Sequence, residues 1–295
     1  MAIRNLVFEG GGVKGIAYAG ALEVLEGNGY LNLLQNVAGT SAGAITAAMM
    51  ALNYKASKIK EIILNFDFKQ FEDGFDPLRV LTSYGLYKGD AFLQWMKDRI
   101  SDIGGDPNMT FADLNGPGTT YRHLSVVATD LYTQNIQVFS KETTPNTIVA
   151  EAVRASMSIP IFFKSWQFSN QSPNDHIYVD GGVILNYPIE LFDVNGVINE
   201  ETLGLYLANV SGKPTVDAFG HDHIIQYIKS LFDTLLKVQN IDFSEDKEEE
   251  ARTIIIDDLG ISATDFGLTA QQKQELLDSG SKAAKAWINA NPLSL

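Results

Sequence analysis

The hydrophobic pattern of the chain changes repeatedly between short apolar runs and longer stretches with helical spacing. The apolar runs predict strands at Arg4–Glu9, Leu34–Ala38, His123–Thr129, Ile136–Ser140, Ile177–Asp180, Leu203–Ala208 and Thr253–Asp257. The helical spacing predicts helices at Ile16–Glu26, Ala42–Leu52, Lys55–Asn65, Thr144–Ser156, His221–Asn240 and Thr269–Ile288. Strands that alternate with helices in this way are typical of α/β proteins.

Local signals refine several of these elements. Thr269 and Gln272 have the spacing of a capping box at the start of the last helix. Pro145 stands where proline is favoured, at the first helical position of the segment that ends at Ser156. The two strands on either side of Asn135 predict a hairpin. The charged run Glu245–Glu250 predicts a helix face in contact with solvent.

Residues 66–96 break the alternating pattern. Large apolar and aromatic side chains crowd a stretch that is punctuated by Gly74, Pro77, Gly85 and Gly89. One interpretation is a layer packed over the core. The other is a cap or mobile segment that lines an apolar cleft, since ligand sites are lined mostly by apolar side chains.

Composition narrows the class of protein. The 295 residues are 45% hydrophobic and 20% charged, which is ordinary for a globular protein. The formal net charge of −14 makes nucleic acid an unsuitable partner, because phosphate contacts need clustered Lys and Arg. The absence of cysteine excludes disulfides and thiolate metal sites.

No segment has the pattern of a signal peptide or a membrane span. Residues 1–5 lead directly into the first strand, and the longest apolar stretch, Val37–Leu52, is too short to cross a bilayer. We therefore expect a soluble, cytoplasmic protein. The sequence leaves signal-independent secretion open.

Ser41 is the most informative candidate for chemistry. It lies in a Gly-x-Ser-x-Gly motif, between Gly39 and Gly43, at a predicted strand-to-helix junction. Such a junction forms a nucleophile elbow, in which a tight turn exposes the serine hydroxyl at the start of a helix. The alternative is a glycine-rich turn whose serine only caps the helix.

A second glycine-rich loop follows the first strand. Gly10, Gly11, Gly12, Lys14 and Gly15 precede a helix, so their backbone N–H groups could hold negative charge. The spacing fits Gly-x-Gly-x-x-Gly, but residues 30–36 lack the acidic residue that a dinucleotide site needs. The Ser or Thr that would follow Lys in a Walker A loop is also missing. An oxyanion hole and a purely structural turn remain as alternatives.

A third motif places an acid at the end of a strand. Asp180 is followed by Gly181 and Gly182, and side chains at the carboxyl end of a strand face the crevice where α/β proteins bind ligands. Taken alone, Asp-Gly indicates a turn.

Together these motifs resemble the patatin-like phospholipases, a family of serine lipid acyl hydrolases. The glycine loop at residues 10–15, the serine motif at 39–43 and the Asp-Gly-Gly motif at 180–182 match that family's pattern. The segment 155–160 resembles the family's helix end and proline block. Weaker similarities are at 85–90, 128–131 and 252–257. The resemblance implies a three-layer α/β/α fold with a central, mostly parallel sheet and a nucleophile elbow after an early strand.

The chemistry predicted from these residues is ester cleavage by a Ser41–Asp180 dyad. A serine hydroxyl needs a base within hydrogen-bond reach and donors for the oxyanion. None of the four histidines, His123, His176, His221 and His223, has the context of a triad histidine, and His176 is the only rival base. The resemblance also implies the dyad, with the N–H groups of Gly10, Gly11 and Gly12 as oxyanion donors. Lys14 either steadies the loop or meets a lipid phosphate.

These motifs span more than half of the chain, which predicts one lipid acyl hydrolase domain over residues 1–295. The expected partner is a lipid or phospholipid ester, without a metal, a cofactor or nucleic acid. Because the net charge is −14, peripheral membrane contact is expected through apolar surface, and in the cleft interpretation residues 66–96 line the site of the acyl chains. Two alternatives stay open. One is an acyltransferase on the same scaffold, and the other is a regulated or inert lipid-binding module.

Overall fold

A computed structural model describes residues 2–169, 175–212, 223–239, 241, 243 and 245–293. The strands are β1 (Asn5–Phe8), β2 (Asn36–Thr40), β3 (Gly85–Tyr87), β4 (His123–Asp130), β5 (Asn135–Phe139), β6 (Ile161–Phe163), β7 (Tyr178–Asp180), β8 (Thr202–Ala208) and β9 (Thr253–Asp257). The α-helices are α1 (Ile16–Gly27), α2 (Ala42–Ala51), α3 (Ala56–Asn65), α4 (Arg79–Ser83), α5 (Asp90–Asp102), α6 (Phe111–Leu114), α7 (Val149–Ser156), α8 (His223–Val238), α9 (Lys247–Ala251) and α10 (Ala270–Ala290). Short 3₁₀ helices lie at Gly12–Gly15, Phe68–Phe71, Gly181–Val183 and Ile189–Phe192.

The central sheet has seven strands, and helices flank it. Its order is β5-β4-β2-β1-β8-β9, with β7 paired to β4. All neighbours on this path are parallel except β4 and β5, and β7 is also antiparallel to β4. This confirms the predicted α/β fold with a mostly parallel sheet, and the antiparallel β4–β5 pair confirms the hairpin.

Strand β4 brings two distant parts of the chain end to end. Its first half pairs with β2 as far as Val127, which is opposite Thr40. Its second half pairs with β7 from Ala128, which is opposite Asp180. Because β5 occupies the other edge of β4, β2 and β7 share one edge and run toward each other. Their carboxyl ends therefore meet at neighbouring positions of β4.

Alternate residues of the inner strands face two separate cores. Leu6, Phe8 and Val37 belong to a large core that also contains residues of α1, α2 and α10. Val7 and Ala38, one position along each strand, belong to a smaller core on the opposite face. That face is covered by Tyr187, Ile189 and Tyr206, with partly buried Leu191, Phe192, Ile241 and Phe243 around them. Both faces of the inner strands are buried, as expected for a parallel sheet.

The segment 66–96 forms a small substructure beside this sheet. Strand β3 pairs in parallel with β6, and α5 begins after Gly89. The buried guanidinium of Arg154 donates to the carbonyl oxygens of Lys88, Gly89 and Lys164 at 2.8–2.9 Å. Burial lowers the pKa of Arg154 to about 10. One side chain of α7 thus holds both strands of the small sheet against the main core.

Two predicted helices differ from the structure. The helix predicted to start at Thr144 begins at Val149, because the carbonyl oxygens of Pro145 and Thr147 accept from Ala112 and Phe111. Those carbonyls are therefore not available for a helix. The helix predicted at 221–240 is observed over His223–Val238, and residues 221, 222 and 240 lie outside the described residues.

The charged run 245–250 also differs from its prediction in one residue. Glu249 is only 7% exposed and its carboxylate pairs with Arg252 at 2.6 Å. Arg252 in turn pairs with Asp193 at 2.6 Å, so a helix predicted to face solvent is tied to the chain after the 3₁₀ helix at Ile189–Phe192. By contrast, the capping box of Thr269 and Gln272 is confirmed. Among the described residues, no helix has the length and apolar character needed to span a membrane.

Helices α1 and α10 pack so closely that glycine is required at their contact. A Cβ on Gly280 would overlap the carbonyl oxygen of Ala17, and a Cβ on Gly20 would overlap that of Leu277. The two glycines thus let each backbone approach the other.

We predict that Gly280→Ala destabilises the fold. The added methyl group must push two helices apart, which costs about 1–3 kcal/mol, and better helix propensity returns at most about 1 kcal/mol. Calorimetric unfolding measures the difference. Gly27→Ala is the matched control, because a Cβ there has no atom within 4 Å. Equal melting temperatures for the two variants would contradict the prediction.

Candidate active site

Ser41 forms a strained turn between β2 and α2. Its φ of 53° and ψ of −123° lie outside the common regions for residues other than glycine. A Cβ on Gly39 would overlap the backbone of Gly43, and a Cβ on Gly43 would overlap the carbonyl oxygen of Phe8. The turn therefore needs both glycines, and its backbone has the features of a nucleophile elbow.

The hydroxyl of Ser41 lies next to the carboxylate of Asp180. Ser41 Oγ donates to Asp180 Oδ2 at 2.7 Å, and the two residues are 4% and 0% exposed. This contact follows from the sheet, because β2 ends one residue before Ser41 and β7 ends at Asp180, at adjacent positions of β4. The structure thus brings together the two residues that the sequence predicted as a pair.

Burial makes Asp180 a stronger base than an ordinary carboxylate. Its pKa rises from 3.8 to about 7, mainly because burial disfavours the charge. The hydrogen bonds from Ser41 Oγ and from the Gly182 N–H, which reaches Oδ1 at 2.8 Å, act in the opposite direction. A carboxyl group with this pKa can both take up and release a proton near neutral pH.

Ser156, the last residue of α7, and Ser158 hold the backbone N–H groups of the pair. The Ser41 N–H donates to Ser156 Oγ at 2.8 Å, and that hydroxyl donates to the carbonyl oxygen of Val127 in β4 at 2.6 Å. The Asp180 N–H donates to the carbonyl oxygen of Ser158 at 2.9 Å. The sequence indicated residues 155–160 through the family resemblance and assigned neither serine a role.

The glycine loop, residues 10–15, lies beside the elbow and departs from the prediction at Gly10. The Gly10 N–H donates to the carbonyl oxygen of Asn186 at 2.9 Å, so it is occupied in this structure. Within the described part of the chain, the N–H groups of Gly11 and Gly12 have no acceptor. Two of the three predicted oxyanion donors are therefore available.

At the remaining glycines of the motifs, a Cβ would crowd a neighbouring backbone or side-chain atom. Gly12 has a φ of 55°, and a Cβ there would overlap the carbonyl oxygen of Ala263. A Cβ on Gly15 would lie 3.1 Å from the Cβ of Ala42. After the acid, a Cβ on Gly181 would lie 2.5 Å from the carbonyl oxygen of Val127, and one on Gly182 would lie 3.1 Å from Asp180 Oδ1.

Lys14 is held in an ion pair. Its Nζ lies 3.0 Å from Asp258 Oδ2, and the two side chains are 15% and 10% exposed. Asp258 Oδ1 also accepts from the Gly260 N–H at 2.9 Å. Of the two roles left open by the sequence, this pairing favours the one in which Lys14 steadies the glycine loop.

A buried acid that the sequence did not identify lies just before the loop. Glu9 Oε2 accepts from the Leu207 N–H at 2.6 Å, and Oε1 accepts from Asn186 Nδ2 at 2.8 Å. Burial raises the pKa of Glu9 to about 8, although the charge of Lys14 lowers it. Its position at the end of an apolar strand gave the only signal in the sequence.

His176, the rival base, lies in a different pair. Its Nδ1 is 2.6 Å from Asp130 Oδ2, and its ring stacks on Tyr132 with centroids 4.5 Å apart. Asp130 is two positions along β4 from the residue opposite Asp180. His176 therefore does not occupy the position of a base for Ser41. Of the other histidines, His123 lies 3.7 Å from Glu142, and His221 is outside the described residues.

Two pockets flank the glycine loop. The first, called here the aromatic pocket, is almost entirely apolar. Its lining includes Gly12 and Ala42 on the side of the elbow and, farther away, Ile45, Phe66, Phe68, Phe71 and Trp95. The second has polar and apolar lining in similar amounts, and its lining residues include Glu9, Gly10, Lys14, Asn186 and Asp258. A wider depression near Gly196 and Arg252 lies at the opposite, amino-terminal ends of β1 and β8.

Comparison with known proteins places these features in a family pattern. A family model described as patatin-like phospholipase matches residues 6–193. Uncharacterized protein YqhO of Bacillus subtilis is 33% identical over 299 residues, which cover 96% of this chain and 97% of that protein. Uncharacterized protein R571 of Acanthamoeba polyphaga mimivirus is 30% identical, with 97% and 94% covered. The crystal structure of VipD from Legionella pneumophila superimposes with a TM-score of 0.65 at 21% identity, covering 98% of this chain and 67% of VipD.

We predict that kcat/KM for ester hydrolysis falls on acidification, with a midpoint near pH 7. Asp180 must be ionised to accept a proton, and its pKa is about 7, so kcat/KM should fall tenfold for each pH unit below that value. A pH profile with a short-chain p-nitrophenyl ester measures this. Asp130→Asn is the control, because it removes a buried acid that does not contact Ser41. A profile that stays flat between pH 5 and pH 8 would contradict the assignment.

Proposed function

The chain belongs to the patatin-like phospholipase family, and from this membership we propose that it is a lipid acyl hydrolase that uses a Ser41–Asp180 dyad. It cleaves carboxylic esters of lipids, in the manner of a phospholipase A or a lysophospholipase. The observation that carries the proposal is the 2.7 Å hydrogen bond between the buried side chains of Ser41, in the elbow, and Asp180, at the end of β7. The aromatic pocket beside that elbow supports a lipid as the substrate.

In the first half of the reaction, Ser41 takes the acyl group. Ser41 Oγ attacks the ester carbonyl carbon while its proton passes to Asp180 Oδ2. The N–H groups of Gly11 and Gly12 hold the negative oxygen of the tetrahedral intermediate, a contribution that is worth about 3 kcal/mol per donor in other hydrolases. The bond to the alcohol oxygen then breaks, and Asp180 returns the proton to that oxygen.

In the second half, water releases the acyl group. Asp180, again ionised, takes a proton from the water molecule that attacks the acyl-enzyme carbonyl. The same two N–H groups hold the second oxyanion. When the bond to Ser41 breaks, Asp180 returns the proton to Ser41 Oγ, and the fatty acid leaves. A carboxyl pKa near neutrality suits both transfers.

The segment 66–96 supplies a wall of the acyl site in this proposal. Phe66, Phe68, Phe71 and Trp95 line the aromatic pocket, which begins at Gly12 and Ala42. A chain esterified to Ser41 would extend from the elbow into this apolar space, where burial of each methylene contributes about 0.8 kcal/mol. This supports the cleft-lining interpretation of the segment over that of a plain covering layer.

Contact with a lipid surface is proposed to be apolar. The short helix α4 in the same segment exposes Leu81 at 80%, and Leu78 and Tyr84 beside it are 73% and 56% exposed. Because the protein has a net charge of −14, attraction to anionic headgroups does not supply the affinity.

A cytoplasmic location stays a prediction from the sequence.

We predict that Ser41→Ala lowers the rate of lipid ester hydrolysis by a factor on the order of 10⁴–10⁶, as in other serine hydrolases. Asp180→Asn should have a similar effect, because the serine loses its base. Incubation with defined phospholipids and galactolipids, followed by mass spectrometry of the products, measures the loss. His176→Ala is the control and should keep most activity. If His176→Ala abolishes turnover in a folded protein, Asp180 is not the only base.

We also predict that the aromatic pocket sets acyl-chain length. Ile45→Trp would fill the pocket, so kcat/KM should fall about tenfold more for a dodecanoyl ester than for a butyryl ester. Ile136→Trp, on strand β5 and outside the pocket lining, is the matched control and should leave the ratio unchanged. Equal losses for both chain lengths in Ile45→Trp would show that the acyl group binds elsewhere.

A further inference from the structure

We propose that Asn186 is a positioning residue that fixes the oxyanion donors of the glycine loop relative to the Ser41–Asp180 pair. The inference rests on the proposed function and adds a residue that does not touch substrate. Asn186 lies six positions after Asp180 and is 3% exposed. It connects the acid loop, residues 180–186, directly to the glycine loop.

Asn186 holds Gly10 from both sides. The Gly10 N–H donates to the Asn186 carbonyl oxygen at 2.9 Å, and Asn186 Nδ2 donates to the Gly10 carbonyl oxygen at 3.1 Å. The Gly10 carbonyl and the Gly11 N–H belong to one planar trans peptide and point in opposite directions. The hydrogen bond to the Gly10 oxygen therefore also sets the direction of the Gly11 N–H.

The side chain of Asn186 is itself fixed. Its Nδ2 also donates to Glu9 Oε1 at 2.8 Å, and Glu9 is held by the backbone of β8. The opposite orientation of the amide would place Oδ1 against the carbonyl oxygen of Gly10. In the observed orientation Oδ1 is buried and has no partner among the described residues. The amide thus leaves its acceptor unsatisfied while both of its N–H groups hold residues 9 and 10.

The backbone of Asn186 is connected to the acid side of the site. Its N–H donates to Gln239 Oε1 at 2.8 Å, and Gln239 Nε2 donates to the carbonyl oxygen of Gly182 at 2.5 Å. The Gly182 N–H in turn donates to Asp180 Oδ1. A continuous set of hydrogen bonds therefore runs from the acid, through Gln239 and Asn186, to the peptide that carries the first oxyanion donor.

Asn186→Asp tests this role with almost no change of shape. The variant replaces the Nδ2 donor by an oxygen, so the peptide of Gly11 loses its orientation while Ser41 and Asp180 remain. We expect kcat for a short-chain ester to fall at least about tenfold, with KM within about threefold, because an oxyanion donor acts mainly in the transition state. Affinity for an alkyl boronic acid, which forms a tetrahedral anion on the serine, should weaken by a similar factor.

Asn5→Asp is the matched control. Asn5 is also 3% exposed, and its Nδ2 donates to Thr202 Oγ1 at 3.0 Å, but it lies at the opposite end of β1. The Asn5→Asp variant should change the melting temperature of the protein without changing kcat. The pair Asn186→Ala and Asn5→Ala repeats the comparison without a buried acid and serves if Asn186→Asp does not fold.

The outcomes separate this inference from the proposed function. If the Ser41→Ala variant hydrolyses the ester as the wild type does, the dyad itself is refuted. If hydrolysis depends on Ser41 but a folded Asn186 variant keeps wild-type kcat and boronate affinity, the positioning role is wrong and the dyad stands. The positioning role would also be wrong if the Asn186 variant changed only KM, or if the Asn5 variant lost as much kcat as the Asn186 variant.

Discussion

The hydrogen bond between Ser41 Oγ and Asp180 Oδ2 is the contact on which the rest of the site depends. It joins residues that are 139 positions apart, and both are buried. Strand β4 makes the contact, because one of its edges pairs first with β2 and then with β7, whose carboxyl ends meet. Ser41 and Asp180 are therefore fixed by main-chain pairing of the sheet, and the distance between them does not rely on mobile loops.

This arrangement costs stability. Ser41 has a left-handed φ, a conformation that costs of order 1–3 kcal/mol and persists only where the surroundings enforce it. Asp180 keeps its proton to a higher pH in the folded chain than in the unfolded chain, since its pKa rises from 3.8 to about 7. The free energy of unfolding therefore decreases as the pH rises across that interval, and the penalty is complete above it. Glu9 adds a second buried acid with the same sign of effect.

The sequence predicted the fold class and the strand-end positions of Ser41 and Asp180, because both depend on local patterns. Apolar runs gave the strands, and glycines gave the turns that place Ser41 and Asp180 at strand ends. Contacts between distant segments left no such pattern. The sequence could not show that Asn186 occupies the N–H of Gly10, that Ser156 holds the elbow, or that carbonyls of Pro145 and Thr147 are used by another helix. Each depends on which residues meet across the fold, which a single sequence does not record.

The account is tested most directly by a crystal structure of the chain after reaction with an alkyl fluorophosphonate. The account predicts a phosphorus atom bonded to Ser41 Oγ, with its free oxygen within hydrogen-bond distance of the Gly11 and Gly12 N–H groups. It also predicts that Asp180 is the only ionisable side chain in reach of Ser41 Oγ. A histidine in contact with that oxygen, or a phosphoryl oxygen directed away from the glycine loop, would contradict it.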